Sequence, residues 1–160
     1  MSHNLLFYST ETYLADLIDE ILTLYYSTQD NVQKILKTHY SKTDRVKVHK
    51  SRFTFVIVNL IQNALDAMSK IEPSRREISI SVYQEGAKVY VTVADTGCGI
   101  AQEDLIKIFS QGYSTKRNGF GFELNSCANY TGEMNGKIAV STQGIGKGAE
   151  FKISFPTKRR

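Results

Sequence analysis

Two runs in the middle of the chain alternate apolar and polar residues with a period of two. Ile78, Ile80 and Val82 mark the first, Glu77 to Tyr83; Val89, Val91 and Val93 mark the second, Ala87 to Ala94. Such alternation gives each strand one apolar face, and Glu85-Gly86 between them reads as a hairpin turn. A lone hairpin cannot bury that face, so an amphipathic layer has to cover it. Arg52 to Lys70 supplies the layer. Phe53, Ile57, Leu60, Ile61, Ala64 and Met68 fall on one broad arc at helical spacing, and Pro73 lies just beyond the end. The combination predicts an α+β fold: a two-layer α/β sandwich with helices on one face of a mixed β-sheet.

Other elements follow from the same periodicities. Thr10 to Tyr26 reads as an amphipathic helix and Val32 to His39 as a strand, while Ser41 to Lys50 is polar and loop-like. Ala101 to Phe109 predicts a short helix and Ser110 to Gly121 a loop. Phe122 to Glu133 predicts a helix ended by Asn135-Gly136. Lys137 to Thr142 and Glu150 to Phe155 predict two closing strands across the loop Gly144-Ile145-Gly146-Lys147-Gly148. With 160 residues, no repeat and no low-complexity linker, the whole chain reads as one domain with a core from about residue 11 to 156.

Charge narrows the partners. The net charge of +4 is mild, and part of it sits at the end in Lys158-Arg159-Arg160, short of the dense basic stripe of a nucleic-acid binder. Cys98 and Cys127 make neither a disulfide framework nor a zinc array, which suits a reducing compartment. No signal peptide and no bilayer-length apolar run is present. The expectation is a cytoplasmic location, free or as the cytosolic part of a membrane-bound sensor, with no nucleic acid and no direct membrane contact.

Three segments hold side chains that the core does not need. On the long helix, Arg52, Asn59, Asn63, Asp66 and Lys70 share the arc opposite the apolar one. A solvated face explains the charges. Asparagine is a modest helix former with better uses at caps, and its amide oxygen is a good ligand for magnesium. The corner Asp95-Thr96-Gly97-Cys98-Gly99-Ile100 directly follows a strand. Its carboxylate suits an exocyclic amine, and its glycines let a flat ring come close; a tight turn with Asp95 satisfying local amides fits as well. The stretch from Phe109 to Phe122 opens into a helix through Gly119-Phe-Gly121. Amides there suit an anion, as does Lys116, and a plain surface loop is the alternative.

Taken together, the order of these segments resembles the GHKL superfamily of ATPases: gyrase B subunits, the large ATP-dependent chaperones, histidine kinases and mismatch-repair ATPases. Asn59-Leu-Ile-Gln-Asn63-Ala-Leu-Asp66-Ala67 is similar to the N box and Asp95-Thr-Gly97-Cys-Gly99-Ile100 to the first glycine box. Ile108-Phe109 with Tyr113-Ser-Thr115-Lys116 is similar to the F box and lid, and Gly119-Phe-Gly121-Phe122 to the second glycine box. The resemblance runs from about Glu11 to Pro156 and is strongest to the catalytic, ATP-binding domain of bacterial sensor histidine kinases.

The resemblance implies the Bergerat-type ATP-binding fold and a site for ATP and Mg2+. Asn63 would ligate the magnesium, and Asn59, Asn63 and Lys116 would form the catalytic set. Asp95 would bind the adenine amine, with Gly97, Gly99 and Ile100 shaping the base pocket and Asp66 beside it. Thr115, Lys116, Gly119, Phe120, Gly121, Phe122 and Leu124 would hold the phosphates under a mobile lid. The product would be a phosphohistidine on a separate dimerisation domain, with a response regulator downstream. Hydrolysing members resemble one another in carrying glutamate where this chain has Asn59, and an amide cannot act as general base. A neutral imidazole brings its own lone pair, so Asn59 favours histidine as acceptor over water or the serine of an anti-sigma-type kinase. None of His3, His39 and His49 is followed by an acidic residue, so the acceptor lies elsewhere. Two departures stand out: Glu123 where a third glycine is common, and Asn125 where a histidine is common. A carboxylate beside a triphosphate is repulsive, which keeps open a degenerate GHKL module that acts as a non-catalytic docking or phosphotransfer scaffold.

Overall fold

The computed structural model describes residues 9–110 and 121–157, with side chains from 124 onward in the second segment. Thr115, Lys116, Gly119 and Phe120 lie outside the described residues, as do the side chains of Gly121, Phe122 and Glu123.

The predicted hairpin forms the centre of the sheet. Strand β4 (Ile78–Glu85) pairs antiparallel with β5 (Lys88–Asp95), matching Ile80 to Val93 and Val82 to Val91. On the far side of β5 runs β7 (Ala149–Pro156), then β6 (Lys137–Ser141), both antiparallel. On the near side β2 (Leu36–Tyr40) joins β4 in parallel, giving the mixed order β2-β4-β5-β7-β6. The apolar inward residues along the middle of the three central strands are buried: Ile78, Ile80 and Val82, then Val89, Val91 and Val93, then Phe151, Ile153 and Phe155.

Helices cover that face. Helix α1 (Leu14–Tyr26) buries Leu14, Leu17, Ile18 and Ile21. The long helix α3 (Lys50–Ala67) buries Phe53, Val56, Ile57, Leu60, Ile61 and Ala64, the arc its periodicity specifies. Helix α5 (Gly121–Glu133) buries Leu124 and Cys127. Asn135 then takes a left-handed φ of 64° and the Gly136 N–H donates to the Thr131 carbonyl, closing the helix where the sequence places its end. Phe53 of α3 meets Phe155 of β7 at 5.9 Å between ring centroids, so the two layers interlock through aromatic side chains. The expected two-layer α/β sandwich with helices on one face is what the chain forms.

Several expectations need correction. Residues 9–12 are not the start of a helix: they form β1 (Ser9–Thr12), antiparallel to β3 (Val46–His49). The supposed loop at 41–50 therefore contains a strand, with Val46 and Val48 both buried. Non-local ladder bonds override the helical spacing of 10–13, and two valines suffice to anchor a short strand in a polar context. The strand expected over 32–39 starts late: Asp30–Gln33 make a helical turn, α2, that buries Val32, and the strand begins only at Leu36. The helix expected over 101–109 shrinks to α4, Gln102–Leu105.

Helices α3 and α5 run antiparallel. Phe55 meets Tyr130 edge-on at 5.0 Å, while Arg52, one turn earlier on α3, pairs with Glu133, one turn later on α5, and stacks over the Tyr130 ring. The start of α5 at Gly121 therefore lies toward the C-terminal half of α3. Phe53→Ala empties the contact between layers, and we expect it to cost about 3–5 kcal/mol in urea unfolding; a change under 1 kcal/mol contradicts this packing.

Candidate nucleotide site

The site is built where the end of α3 meets the corner after β5. Ala67 is the last residue of α3, so its carbonyl lacks a partner within the helix. The Cys98 N–H fills that role at 3.0 Å. Gly97 is required by proximity: a Cβ there would lie 2.6 Å from the Ala67 oxygen and 2.8 Å from Oδ1 of Asp95. Gly99 is required by conformation as well, with φ of +74° and a Cβ position 2.1 Å from the Gly144 carbonyl oxygen. Glycine at 97 and 99 is thus explained by the turn alone, and the same close packing keeps the corner low and rigid.

Asp95 closes β5 and is 9% exposed. Its Oδ1 accepts from the Gly97 N–H at 2.8 Å, and the Ala149 N–H also donates to the carboxylate. Burial pushes its pKa above the ordinary carboxylate value, and those two backbone donors partly oppose the rise. Thr96 pins the other side. Its hydroxyl donates to the Arg75 carbonyl at 2.8 Å and accepts from the Glu77 N–H at 3.0 Å.

The loop between β6 and β7 braces the corner from below, a role that sequence reading did not assign. Gly146 N–H donates to the Cys98 carbonyl at 2.6 Å and Gly148 N–H to the Gly97 carbonyl at 3.1 Å. Thr142 Oγ1 ties the loop to itself by donating to the Gly148 carbonyl at 2.6 Å. The available signal was glycine at every second position, 144, 146 and 148. A cleft of about 570 Å³ opens between this loop and the residues after α3, with Asp95 and Thr96 on its wall and Lys70, Arg75 and Lys147 at its rim.

The helix residues are only partly gathered. Asp66 neighbours the docked carbonyl of Ala67 and accepts from Gln62 Nε2 at 3.2 Å. Asn63 and Asn59 lie one and two turns back along α3, about 6 and 12 Å away by helical rise. Neither lines the cleft at Asp95. Asn59 donates its amide N–H to the Phe55 carbonyl at 2.8 Å and borders a separate groove with Tyr25, Ser51, Thr54, Phe55 and Val58. Ile100 packs partly buried against the core, and Leu124 is a core side chain. Phe109 packs edge-on against Phe151, and its carbonyl accepts from the Asn125 amide at 2.9 Å, which ties the end of the expected F box to α5.

The structure thus joins a buried acid on a glycine corner to the end of the helix that carries Asn59 and Asn63. Residues 48–159 match the family of histidine kinase-, DNA gyrase B- and HSP90-like ATPases. The chain belongs to this ATPase family. It is similar to Sporulation kinase A of Bacillus subtilis, at 34% identity over 148 residues covering 91% of this chain and 23% of that kinase. Sensor histidine kinase ZraS of Escherichia coli is 31% identical over 132 residues, covering 81% of this chain and 27% of ZraS. Among solved structures, the nucleotide-free catalytic domain of histidine kinase ThkA superposes with a TM-score of 0.79 at 28% identity, over 94% of this chain and 99% of that one. The chain spans about a quarter of the length of these curated relatives, and it has the fold of a histidine kinase catalytic domain.

The burial of Asp95 has a measurable signature. Its folded-state pKa lies above the unfolded one, so its contribution to stability is full below the unfolded pKa. That contribution is lost as pH rises through the folded pKa. Asp95→Asn cannot ionise, so its stability relative to wild type should increase as pH rises from below the ordinary carboxylate value to neutrality. Urea unfolding of both proteins across that range checks this; a constant difference rules it out.

Proposed function

We propose that this chain is the ATP-binding catalytic domain of a two-component sensor histidine kinase, binding Mg-ATP and delivering the γ-phosphoryl group to a histidine on a separate acceptor domain. One observation carries the reading: a buried carboxylate, Asp95, sits on a corner hydrogen-bonded to the end of the helix that bears Asn59 and Asn63. In the proposed complex the carboxylate accepts a hydrogen bond from the exocyclic amine of adenine. The flat backbone at Gly97 lets the base approach, and the phosphates extend back along α3 toward Asn63. The antiparallel course of α5 brings its N-terminal amides to the same half of α3, and such amides favour anions. Lys116 and Gly119 complete the phosphate contacts in this reading.

The donors suit magnesium, a hard cation that takes one or two protein oxygens together with phosphates. Asn63 would hold it through its amide oxygen. Among the described residues no three His, Cys, Asp or Glu side chains gather to cage a metal. When bound, the ion supplies neutralisation of phosphate charge. The protein's own part is positioning, which supplies most of the catalysis in such transfers. Asn59 cannot take a proton, so the acceptor must arrive as a ready nucleophile. A neutral imidazole nitrogen forms the bond to the γ-phosphorus as the bond to the leaving ADP oxygen breaks, and the ring's other nitrogen loses its proton to solvent.

The partners in this reading are ATP, an acceptor histidine in the same parent chain or another protein, and a response regulator downstream. ThkA, 27% identical and solved in complex with the response regulator TrrA, supports the last. The proposed setting is the cytoplasm, with residues 1–160 acting as one domain and with no nucleic-acid or membrane contact; no described helix is long and apolar enough to cross a membrane. The second reading, a scaffold that turns over no nucleotide, rests on Glu123 in the second glycine box.

Calorimetry separates these. Wild type should bind ATP about tenfold more tightly with Mg2+ than after chelation, and Asn63→Ala should bind equally in both. A magnesium dependence that survives in Asn63→Ala removes Asn63 from the site. Absence of binding by both wild type and Glu123→Gly establishes the scaffold.

A further inference from the structure

Residues 95–98 of the corner after β5 are each tied to a neighbouring element, and the tie at Thr96 is made by a side chain to which the nucleotide reading gives no task. The β4–β5 ladder ends at Ile78 and Asp95. One rung further it would match Glu77 to Thr96, but there β5 turns away into the glycine corner. The Thr96 hydroxyl takes over the missing rung: it accepts from the Glu77 N–H at 3.0 Å and donates to the Arg75 carbonyl at 2.8 Å. Backbone groups past a strand end still need partners, and one hydroxyl serves both. The residues it grips form a unit of their own. The Arg75 N–H donates to the Glu72 carbonyl at 2.8 Å, and the Arg76 guanidinium donates to the carbonyls of Ile71 at 2.8 Å and Ser69 at 3.2 Å. Lys70, Ile71, Glu72 and Arg75 of that unit line one side of the cleft, and Gly146 and Lys147 the other.

Position makes this tie matter for Asp95. Thr96 stands between Asp95 and Gly97, whose N–H donates to Asp95 Oδ1 at 2.8 Å, so the turn that orients the carboxylate closes across residue 96. The Ala149 N–H holds the same carboxylate from β7. We infer that Thr96 is a positioning residue for base recognition: its hydroxyl locks the 69–77 unit to the corner, fixes the width of the cleft at Asp95, and so holds the carboxylate where a donor on the ligand meets it. The inference rests on the nucleotide reading of the cleft, in which that donor is the exocyclic amine of adenine. Thr96 is itself exposed, so its replacement opens no cavity in the core.

Calorimetry on the full chain with two nucleotides tests this: ATP, and the purine riboside triphosphate that carries hydrogen in place of the exocyclic amine. Wild type should bind ATP about tenfold more tightly than the amine-free analogue, since a hydrogen bond to a charged group separates them. Thr96→Val is similar in shape and lacks the hydroxyl. It should bind both nucleotides alike, near the affinity of wild type for the analogue, and Thr96→Ser should regain the preference for ATP. A merely structural role weakens both nucleotides together; that result, or a Thr96→Val that keeps the preference, overturns the inference. Amide hydrogen exchange gives a second readout without ligand. In Thr96→Val, exchange should speed up about tenfold or more at both Glu77 and Gly97. Acceleration at Glu77 alone shows that the carboxylate turn does not depend on the hydroxyl, and this too overturns the inference. A wild type that binds the two nucleotides equally, or neither, gives a different result: it removes Asp95 as reader of the amine, and the nucleotide reading and this inference fall together.

Discussion

One hydrogen bond, from the Cys98 N–H to the Ala67 carbonyl at 3.0 Å, joins the two halves of the site. The last carbonyls of a helix have no partner within it, and here the glycine corner supplies one. A typical hydrogen bond contributes only about 1 kcal/mol net, so the importance of this one is geometric. It sets Asp95 at a fixed height on α3 and so relates a carboxylate on the sheet to amides on the helix. Gly97 permits the bond, since a Cβ there would strike the same carbonyl. The loop at 144–148 then holds the corner from the other side through Gly146 and Gly148.

That rigidity sustains an unfavourable arrangement. Burial disfavours the ionised form of Asp95, and two backbone N–H groups only partly compensate. A carboxylate at this buried position is accordingly the residue on which the proposed nucleotide site is centred. In the proposed complex the adenine amine adds a third donor to the two backbone N–H groups that Asp95 already accepts from. Lys70, Arg75 and Lys147 line the same cleft together with Glu72.

Much of this was legible in the residues. The alternation at 78–82 and 89–93 fixed which face of the sheet is buried, and the two arcs of α3 were separated correctly because both signals are local and strongly periodic. The strands β1 and β3 were missed because their pairing spans more than 30 residues and involves only four residues each, too few for a pattern to stand out. At 144–148 the side-chain pattern specifies only a connection, because the bracing depends on backbone donors that such patterns do not report. The stripe of Asn59, Asn63 and Asp66 was visible as a stripe. Its division was not: Asp66 adjoins the docked corner while Asn59 borders a separate apolar groove, and that separation follows from the placement of α1 and of the corner against α3.

In the proposed function Asp95 is the reader of the base. Adenine offers it an exocyclic amine where guanine carries a carbonyl oxygen, and a carboxylate facing that oxygen is left without a donor and repelled. Competition between ATP and GTP for the chain, followed through the backbone amide resonances of Gly97 and Cys98 in magnesium buffer, reads this directly. The account predicts that ATP shifts both resonances and that GTP at the same concentration leaves them unmoved and displaces no ATP. Equal perturbation by the two nucleotides, or none by ATP, contradicts it.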